Sequence, residues 1–343
     1  MPGEKTPEKP LPLQMLDLIT GYWVSQLVYV AARLGLADRL AQGPMNVDDV
    51  AKQAGVDTRA LYRLMRALAS VGVFAEGDPG VFSLTPLAQT LLSDRPDSMR
   101  DFALMMVEGY NWEAWQDLHE SVKDEKIAFD RVHGMPIFEY FEKHAEHREV
   151  FARSMASISG TENPAVAEGY DFSKIGRLVD VGGSQGHLLA TILRRHAGVK
   201  GVLFDRPSVI EQARQAPFLK GDGLDGRVTF EGGDFFKVVP SGGDGYLMKY
   251  IMHDWNDEQC ATILSCCREA MNPDGRVLVV DTVVTPGNQP QWGKLLDINM
   301  LVLTGGRERT EAGFAELFGK AGLRLEAVHP TQCPLSVVEA VRA

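Results

Sequence analysis

Apolar positions along the chain follow two regimes that change near Tyr170. Before it, they recur at helical spacing. Residues 14–42 carry Leu16, Ile19, Trp23, Leu27, Val30, Leu34, Leu36 and Leu40 with few charges, and the apolar positions lie on more than one side. Such a helix needs more than one packing partner, and a second copy of the chain can supply one. The stretch MNVDDVAKQAGVDTRALYRLMRALASVGVFAEGDPGVFSLTPLAQTL then predicts a helix, a turn at Gly55, a second helix capped by Asp57, and a hairpin around Asp78-Pro79-Gly80. That is the profile of a winged helix-turn-helix. More helices are predicted over 98–160, with an aromatic cluster of Tyr110, Trp112 and Trp115.

From Arg177 onward, short β-rich runs alternate with helical ones. RLVDVGG, GVLFD, RVTFEGGD, GYLMKY and RVLVVDTVV predict strands; GHLLATILRRH, PSVIEQAR and 256–271 predict helices. This alternation indicates a doubly wound α/β sheet. After a helix near 310–322, LRLEAVH and PLSVVEAVR predict a closing hairpin rather than another βα unit. The expected organisation is a disordered tail over 1–12, an N-terminal helical and winged-helix unit over 13–100, a helical region over 101–170 and an α/β domain over 171–343.

A chain of 343 residues, 45% hydrophobic and 24% charged, suffices for about two domains and excludes a largely disordered polypeptide. Its net charge of −11 disfavours general nucleic-acid binding, which rests on Lys and Arg neutralising phosphates. The winged-helix pattern nevertheless raises a DNA-binding regulator as an alternative, with Arg59, Arg63 and Arg66 on one helix face. Against it, residues 35–95 hold six basic and seven acidic side chains. No stretch of about 20 apolar residues is free of charge, so no membrane span is expected. The start, MPGEKTPEKPLPLQ, does not read as a signal peptide. Cys260, Cys266, Cys267 and Cys333 match no zinc spacing and are expected to be reduced core thiols in a cytoplasmic protein.

Chemistry gathers at the predicted strand ends. In Leu178-Val179-Asp180-Val181-Gly182-Gly183-Ser184-Gln185-Gly186-His187, a buried strand runs into a glycine-rich turn that opens a helix, where backbone can approach a ligand closely. Neither Gly182 nor Gly183 begins the G-x-G-x-x-G dinucleotide pattern. Asp180 would repel a pyrophosphate but suits a cationic or amine-bearing ligand such as S-adenosyl-L-methionine. Asp205 ends the next strand, where a carboxylate can accept ribose hydroxyls. Asp234 and Phe235 follow the third, placed for an adenine amine and ring face. His253, in Met248-Lys249-Tyr250-Ile251-Met252-His253-Asp254-Trp255, follows the fourth strand and is the residue type best suited to accept a proton near neutrality. Asp281 at the end of the fifth strand and Glu308 in GGRERT could bracket it; equally, Asp281 could cap its strand and Glu308 could pair with Arg307 or Arg309.

Taken together, HDW at 253–255, DVGGSQG, FDRP, GGDFF and GGRERT resemble the plant-type small-molecule O-methyltransferases, which include the caffeate and hydroxyindole enzymes and bacterial natural-product tailoring enzymes. The resemblance runs from about residue 15 to the end and includes FDRVHGMPIFEYF. It implies a Rossmann-like class I methyltransferase domain, a homodimer formed through the N-terminal helices and metal-independent chemistry. It also implies His253 as general base with Asp281 and Glu308 beside it. Cofactor contacts are expected from Ser159, Asp180, Gly182, Gly183, Asp205, Arg206, Asp234, Phe235 and Lys249. Met105, Trp112, Phe151, Met155, Met252 and Met300 are expected at a small aromatic substrate, since methionine adapts to flat ligands. Two positions depart from the family: Ser184 replaces the usual central glycine, and Asp281 stands where plant enzymes often carry Glu. A same-scaffold enzyme performing hydroxylation, decarboxylation or cyclisation is the alternative within the fold.

Overall fold

Seven strands of the C-terminal half pair into one sheet: β4 (Arg177–Val181), β5 (Lys200–Asp205), β6 (Val228–Gly232), β7 (Gly243–Lys249), β8 (Met271–Asp281), β9 (Leu323–Pro330) and β10 (Ser336–Arg342). β1 to β3 belong to the N-terminal half and are given below. The computed structural model describes residues 9–95 and 97–343. The order is β6-β5-β4-β7-β8-β10-β9, parallel from β6 to β8, with β10 antiparallel to both β8 and β9. The predicted closing hairpin is therefore present and completes an otherwise parallel sheet.

β4, β7 and the second half of β8, residues 277–281, are buried on both faces, so these stretches read as nearly continuous apolar runs. One face packs Leu178, Leu203, Leu247 and Val280 against Leu189, Ile192 and Leu193 of helix His187–Arg195. The other packs Val179, Tyr246, Met248 and Val279 against helices Asp257–Ala270 and Glu311–Lys320 through Ile263, Leu264, Phe314 and Phe318. Helix Asp257–Ala270 starts where Asn256 and Gln259 form a reciprocal capping box. It ends at Ala270 because Met271 already pairs with Gly243 in the sheet, which makes β8 longer than the predicted strand.

The order of connections reverses at β4, whose neighbours are β5 on one side and β7 on the other. In a doubly wound sheet, the carboxyl ends of the strands at that reversal form the ligand crevice. The glycine turn, Asp205 and the His253 turn all follow these strand ends.

The chain divides into two compact units, residues 1–112 with 145–158, and residues 113–144 with 159–343. In the first, helices Val47–Ala54 and Thr58–Ser70 and the small sheet of β1 (Met45–Asn46), β2 (Phe74–Glu76) and β3 (Val81–Leu84) build the winged arrangement. Asp57 caps the second helix, its Oδ1 accepting the Ala60 N–H at 2.9 Å. Leu61, Met65 and Leu68 turn inward onto Phe74 and Phe82, whereas Arg59, Arg63 and Arg66 are exposed. β1 was not apparent in the sequence, being two residues long.

Helix Leu11–Arg33 corrects two boundaries. The tail expected over 1–12 does not hold at Leu11 and Pro12, which are helical; residues 1–8 lie outside the described residues. The apolar stretch 14–42 is broken at Gly35, whose φ of +60° is left-handed, and resumes as the short helix Leu36–Arg39. Helix Leu11–Arg33 is long and apolar enough to cross a membrane by length and composition alone. Only its Ala31 and Ala32 are buried, and Leu11, Leu18, Ile19 and Trp23 are exposed. The last predicted helix before the sheet runs Ala145–Gly169, beyond the expected 160, with Pro164 inside it.

Candidate active site

The turn after β4 requires its small residues. At Gly182, with φ of +71°, a Cβ would sit 2.5 Å from Ile251 Cδ1, and at Gly183 one would sit 2.5 Å from Asp180 Oδ2. Ser184 takes the left-handed conformation that glycine favours, at φ of +52°. Its N–H donates to Asp205 Oδ2 at 2.9 Å, so the end of β5 holds Ser184 in that conformation. Asp205 Oδ1 accepts the Arg206 N–H at 2.7 Å, and burial raises the Asp205 pKa.

Asp180 is 2% exposed, and its Oδ2 has no hydrogen-bond partner among the described residues. Burial first, then the charge of Asp205, pushes its pKa to about 7. A buried carboxylate oxygen without a partner, beside a cradle that a single Cβ would fill, fits a ligand carrying a cationic or hydrogen-bond-donating group. It does not fit a pyrophosphate.

The remaining residues expected at the cofactor fall into three places. Asp234, after β6, accepts the Phe236 N–H at 3.0 Å and lies 3.2 Å from Lys237. Phe235 meets Trp255 edge-on at 6.2 Å. Arg206 is exposed and reaches Glu142 at 2.8 Å, so its backbone faces Asp205 while its guanidinium is engaged elsewhere. Ser159 and Lys249 come together: Lys249 Nζ donates to Ser159 Oγ and Asn163 Oδ1, each at 3.1 Å, and pairs with Glu162 at 2.8 Å.

His253 sits in the 3₁₀ turn Met252–Asp254 and is 7% exposed. Its Nδ1 donates to Glu308 Oε1 at 2.7 Å, which sets aside a Glu308 pairing with Arg307 or Arg309; both arginines pair with Asp257 instead. Asp281 is buried but bonds elsewhere: its Oδ1 accepts the Tyr250 N–H at 3.0 Å, and its Oδ2 has no partner among the described residues. The carboxylate nearest Nε2 is Asp254, at 3.7 Å. Burial alone would lower the His253 pKa; the charge of Asp254, the Glu308 hydrogen bond and the charge of Asp281 outweigh it and raise the pKa to about 9. Asp281 is itself pushed up, by burial first and by Glu308 in part.

Two residues that the sequence reading did not place at the turn lock it. Arg309 is 3% exposed and donates to the Met252 carbonyl at 2.7 Å and the Trp255 carbonyl at 3.1 Å. Gly306 lets its loop pass against the turn, for a Cβ there would lie 1.9 Å from the His253 carbonyl oxygen. GGRERT thus supplies a close approach at Gly306, a carboxylate at Glu308 and a clamp at Arg309 within four positions.

Met252, expected at the substrate, is fully buried in the core cluster with Val179, Cys260 and Phe314. Its side chain supports the turn from the core side, because the 3₁₀ turn sends neighbouring side chains in different directions. Met300, 6% exposed, lies in the last turn of helix Trp292–Leu303, and its carbonyl accepts from the Thr304 hydroxyl at 3.2 Å. Met105, Trp112, Phe151 and Met155 belong to the first unit, where Met105 is buried, Trp112 packs against Tyr22, and Phe151 and Met155 are half-buried.

A seven-stranded sheet of this order, with a glycine turn after β4 and an acid at the end of β5, defines a class I methyltransferase. The chain belongs to the O-methyltransferase family: the O-methyltransferase domain matches residues 115–324 and the O-methyltransferase dimerisation domain matches residues 16–94. It is therefore an enzyme that uses S-adenosyl-L-methionine. It is 42% identical to the phenazine O-methyltransferase of Lysobacter antibioticus over 96% of both chains. It is 34% identical to the 8-amino-8-demethylriboflavin N,N-dimethyltransferase of Streptomyces davaonensis, over 92% of this chain and 91% of the other. Among solved structures, an O-methyltransferase from neocarzinostatin biosynthesis, in complex with S-adenosylmethionine and 2-hydroxy-5-methyl naphthoic acid, superposes with a TM-score of 0.80 at 31% identity, covering 93% of this chain and 96% of that one.

Proposed function

We propose that the enzyme methylates a hydroxyl on a small aromatic natural-product intermediate, with His253 as general base. The observation that carries this reading is the buried imidazole whose Nδ1 is fixed by Glu308 at 2.7 Å while Nε2 has no hydrogen bond among the described residues. A ring oriented through one nitrogen leaves the other to take a proton. S-adenosyl-L-methionine, when bound, would supply a methyl group on a sulfonium, with the neutral thioether as leaving group. The protein's own work is to hold the hydroxyl in line, accept its proton on His253 Nε2 and stabilise the resulting imidazolium with Glu308 and Asp254. An unperturbed phenol titrates near 10, so a histidine raised to about 9 is closely matched to it. Most of the acceleration comes from positioning two reactants in one site.

For the cofactor, Asp180 receives the amino end, Asp205 the ribose hydroxyls, and Asp234 with Phe235 the adenine. Gly182 and Gly183 allow the approach, and Ser159 with Lys249 borders it. Asp205→Ala should weaken binding of S-adenosyl-L-homocysteine by about 1.5–3 kcal/mol, the scale of a lost hydrogen bond to a charged group. Isothermal titration without added metal measures it, and unchanged affinity would remove Asp205 from the site.

We also propose a homodimer built on helix Leu11–Arg33, whose exposed Leu18, Ile19 and Trp23 are an apolar load within a segment that matches a dimerisation domain. Light scattering should give twice the chain mass at micromolar concentration; a monomer would overturn it. Deleting residues 1–42 should give aggregated or inactive protein.

The relative that methylates an amine favours one second reading, an aromatic amine acceptor. A mass-spectrometric screen with labelled methyl donor, pairing each phenol with the corresponding aniline, decides between them. Label on the phenols supports the hydroxyl reading, label confined to the anilines replaces it, and turnover without label transfer points to other chemistry on the same scaffold.

A further inference from the structure

Tyr250 stands between Lys249, the last residue of β7, and the turn that carries His253, yet the reaction just described gives it no role. Its φ is +56°, the left-handed region, where a tyrosine persists only if its surroundings hold it. Three attachments do so. The Tyr250 N–H donates to Asp281 Oδ1 at 3.0 Å and to the Val280 carbonyl at 3.2 Å. The phenol hydroxyl donates to Glu162 Oε1 at 2.6 Å. The ring lies against the His253 imidazole, with centroids 5.0 Å apart and planes inclined by 27°.

Glu162 is a firm anchor. It is 5% exposed on helix Ala145–Gly169 and forms an ion pair with Lys249, which Ser159 and Asn163 also bind. The hydroxyl itself is no proton carrier: burial, and next the charge of Glu162, push its pKa far above the phenol range, so it stays a neutral donor. What remains is the placement of its ring. A flat aromatic face against an imidazole limits rotation of that ring and favours its cationic form.

We propose that Tyr250 is a positioning residue: its bond to Glu162 holds the aromatic ring on His253, so that the imidazole keeps Nδ1 on Glu308 and its protonated form is supported. The catalytic value of this arrangement rests on His253 being the base; the arrangement itself does not. The charged groups around His253 are Asp254 on its own turn, Glu308 on the GGRERT loop and Asp281 at the end of β8. Arg309, packed on the same turn, is engaged with backbone carbonyls and Asp257, and Lys249 beside the Tyr250 ring is engaged with Glu162.

The test uses the full-length enzyme labelled with ¹³C,¹⁵N-histidine, the His253 signal being assigned by its loss in His253→Asn. Tyr250→Leu removes ring and hydroxyl; Tyr250→Phe keeps the ring and removes its anchor. The His253 titration midpoint should fall by about 0.5–1 pH unit in Tyr250→Leu and by less in Tyr250→Phe. Turnover should fall about 10–100-fold in the first and about 3–10-fold in the second, with KM for S-adenosyl-L-methionine within about twofold of the parent. Should the leucine variant fail to fold, the phenylalanine variant alone decides, through the same midpoint and turnover. A His253 midpoint unchanged in the folded variants overturns the proposal, as does a loss expressed only in KM for the cofactor. If His253→Asn keeps full turnover, the base reading fails separately, while a shifted midpoint in the Tyr250 variants still establishes the contact.

Discussion

Replacing His253 with alanine should lower turnover by about 10²–10⁴-fold, the usual contribution of a positioned base, while S-adenosyl-L-homocysteine binds nearly as before. The separation follows from the fold: the proposed adenosine contacts sit at the ends of β4, β5 and β6, and His253 follows β7. The loss should shrink for a phenol acidic enough to be ionised at assay pH, since that acceptor needs no base. The pH dependence has a definite sign. A histidine raised to about 9 is protonated at neutrality in the free enzyme, so kcat/KM should climb as pH rises toward 9, and the mutant should lack that limb. Glu308→Gln should cost less than His253→Ala, because it removes orientation and charge but leaves the base. Parent-like turnover of His253→Ala on an un-ionised phenol would reject the assignment.

The second large effect is expected from a single methyl group. In Gly306→Ala the new Cβ would fall 1.9 Å from the His253 carbonyl oxygen, a distance no packing tolerates. The loop or the turn must move, and neither is free. Arg309 fixes the turn through the Met252 and Trp255 carbonyls, and the Glu308 N–H is held by Asp297 Oδ1 at 2.8 Å. Overpacking of this kind costs about 1–3 kcal/mol or more, and a displacement of about 1 Å at a reacting group is enough for a 10²-fold loss. Thermal melting and turnover should both fall in Gly306→Ala. Gly319→Ala, within helix Glu311–Lys320 and with nothing within 4 Å of the added carbon, should instead leave activity intact and stability equal or slightly higher. Equal behaviour of the two variants would show that the close approach at Gly306 is not what holds Glu308 against His253.

Much of the sheet was legible because a strand buried on both faces must be written almost wholly in apolar residues, as RLVDV and GYLMK are. The turn after β4 could be read because its glycines have a steric reason to be there, and the acids stood out because each ends such a strand. The pairing of His253 with Glu308 could be suspected but not separated from a Glu308–arginine pair, since the two lie 55 positions apart and only the fold brings Asp257 to the arginines. Asp281 was placed near the imidazole by its strand, but its hydrogen bond goes to the Tyr250 amide, a choice made by backbone geometry that periodicity does not carry. Tyr250 and Glu162 lie 88 positions apart and left no local signal. Met252 shows the same limit: composition suggests a pocket wall, but the direction of a side chain in a one-turn 3₁₀ helix decides whether it meets ligand or core, and here it packs with Val179, Cys260 and Phe314. Gly306 was quoted within a motif without its meaning, because a missing Cβ is informative only once the atom it would strike is known.

Helix Leu11–Arg33 fully buries only two alanines and packs Leu27 and Val28 on its own unit's core, while Leu11, Leu16, Leu18, Ile19 and Trp23 stay outside. In the proposed homodimer such a face lends its burial energy to the fold only when the second copy covers it, so stability becomes a matter of mass action. For such an enzyme, abundance and durability are one quantity: a cell that makes little of it also makes it less stable, and dilution works against it in the same way that heat does.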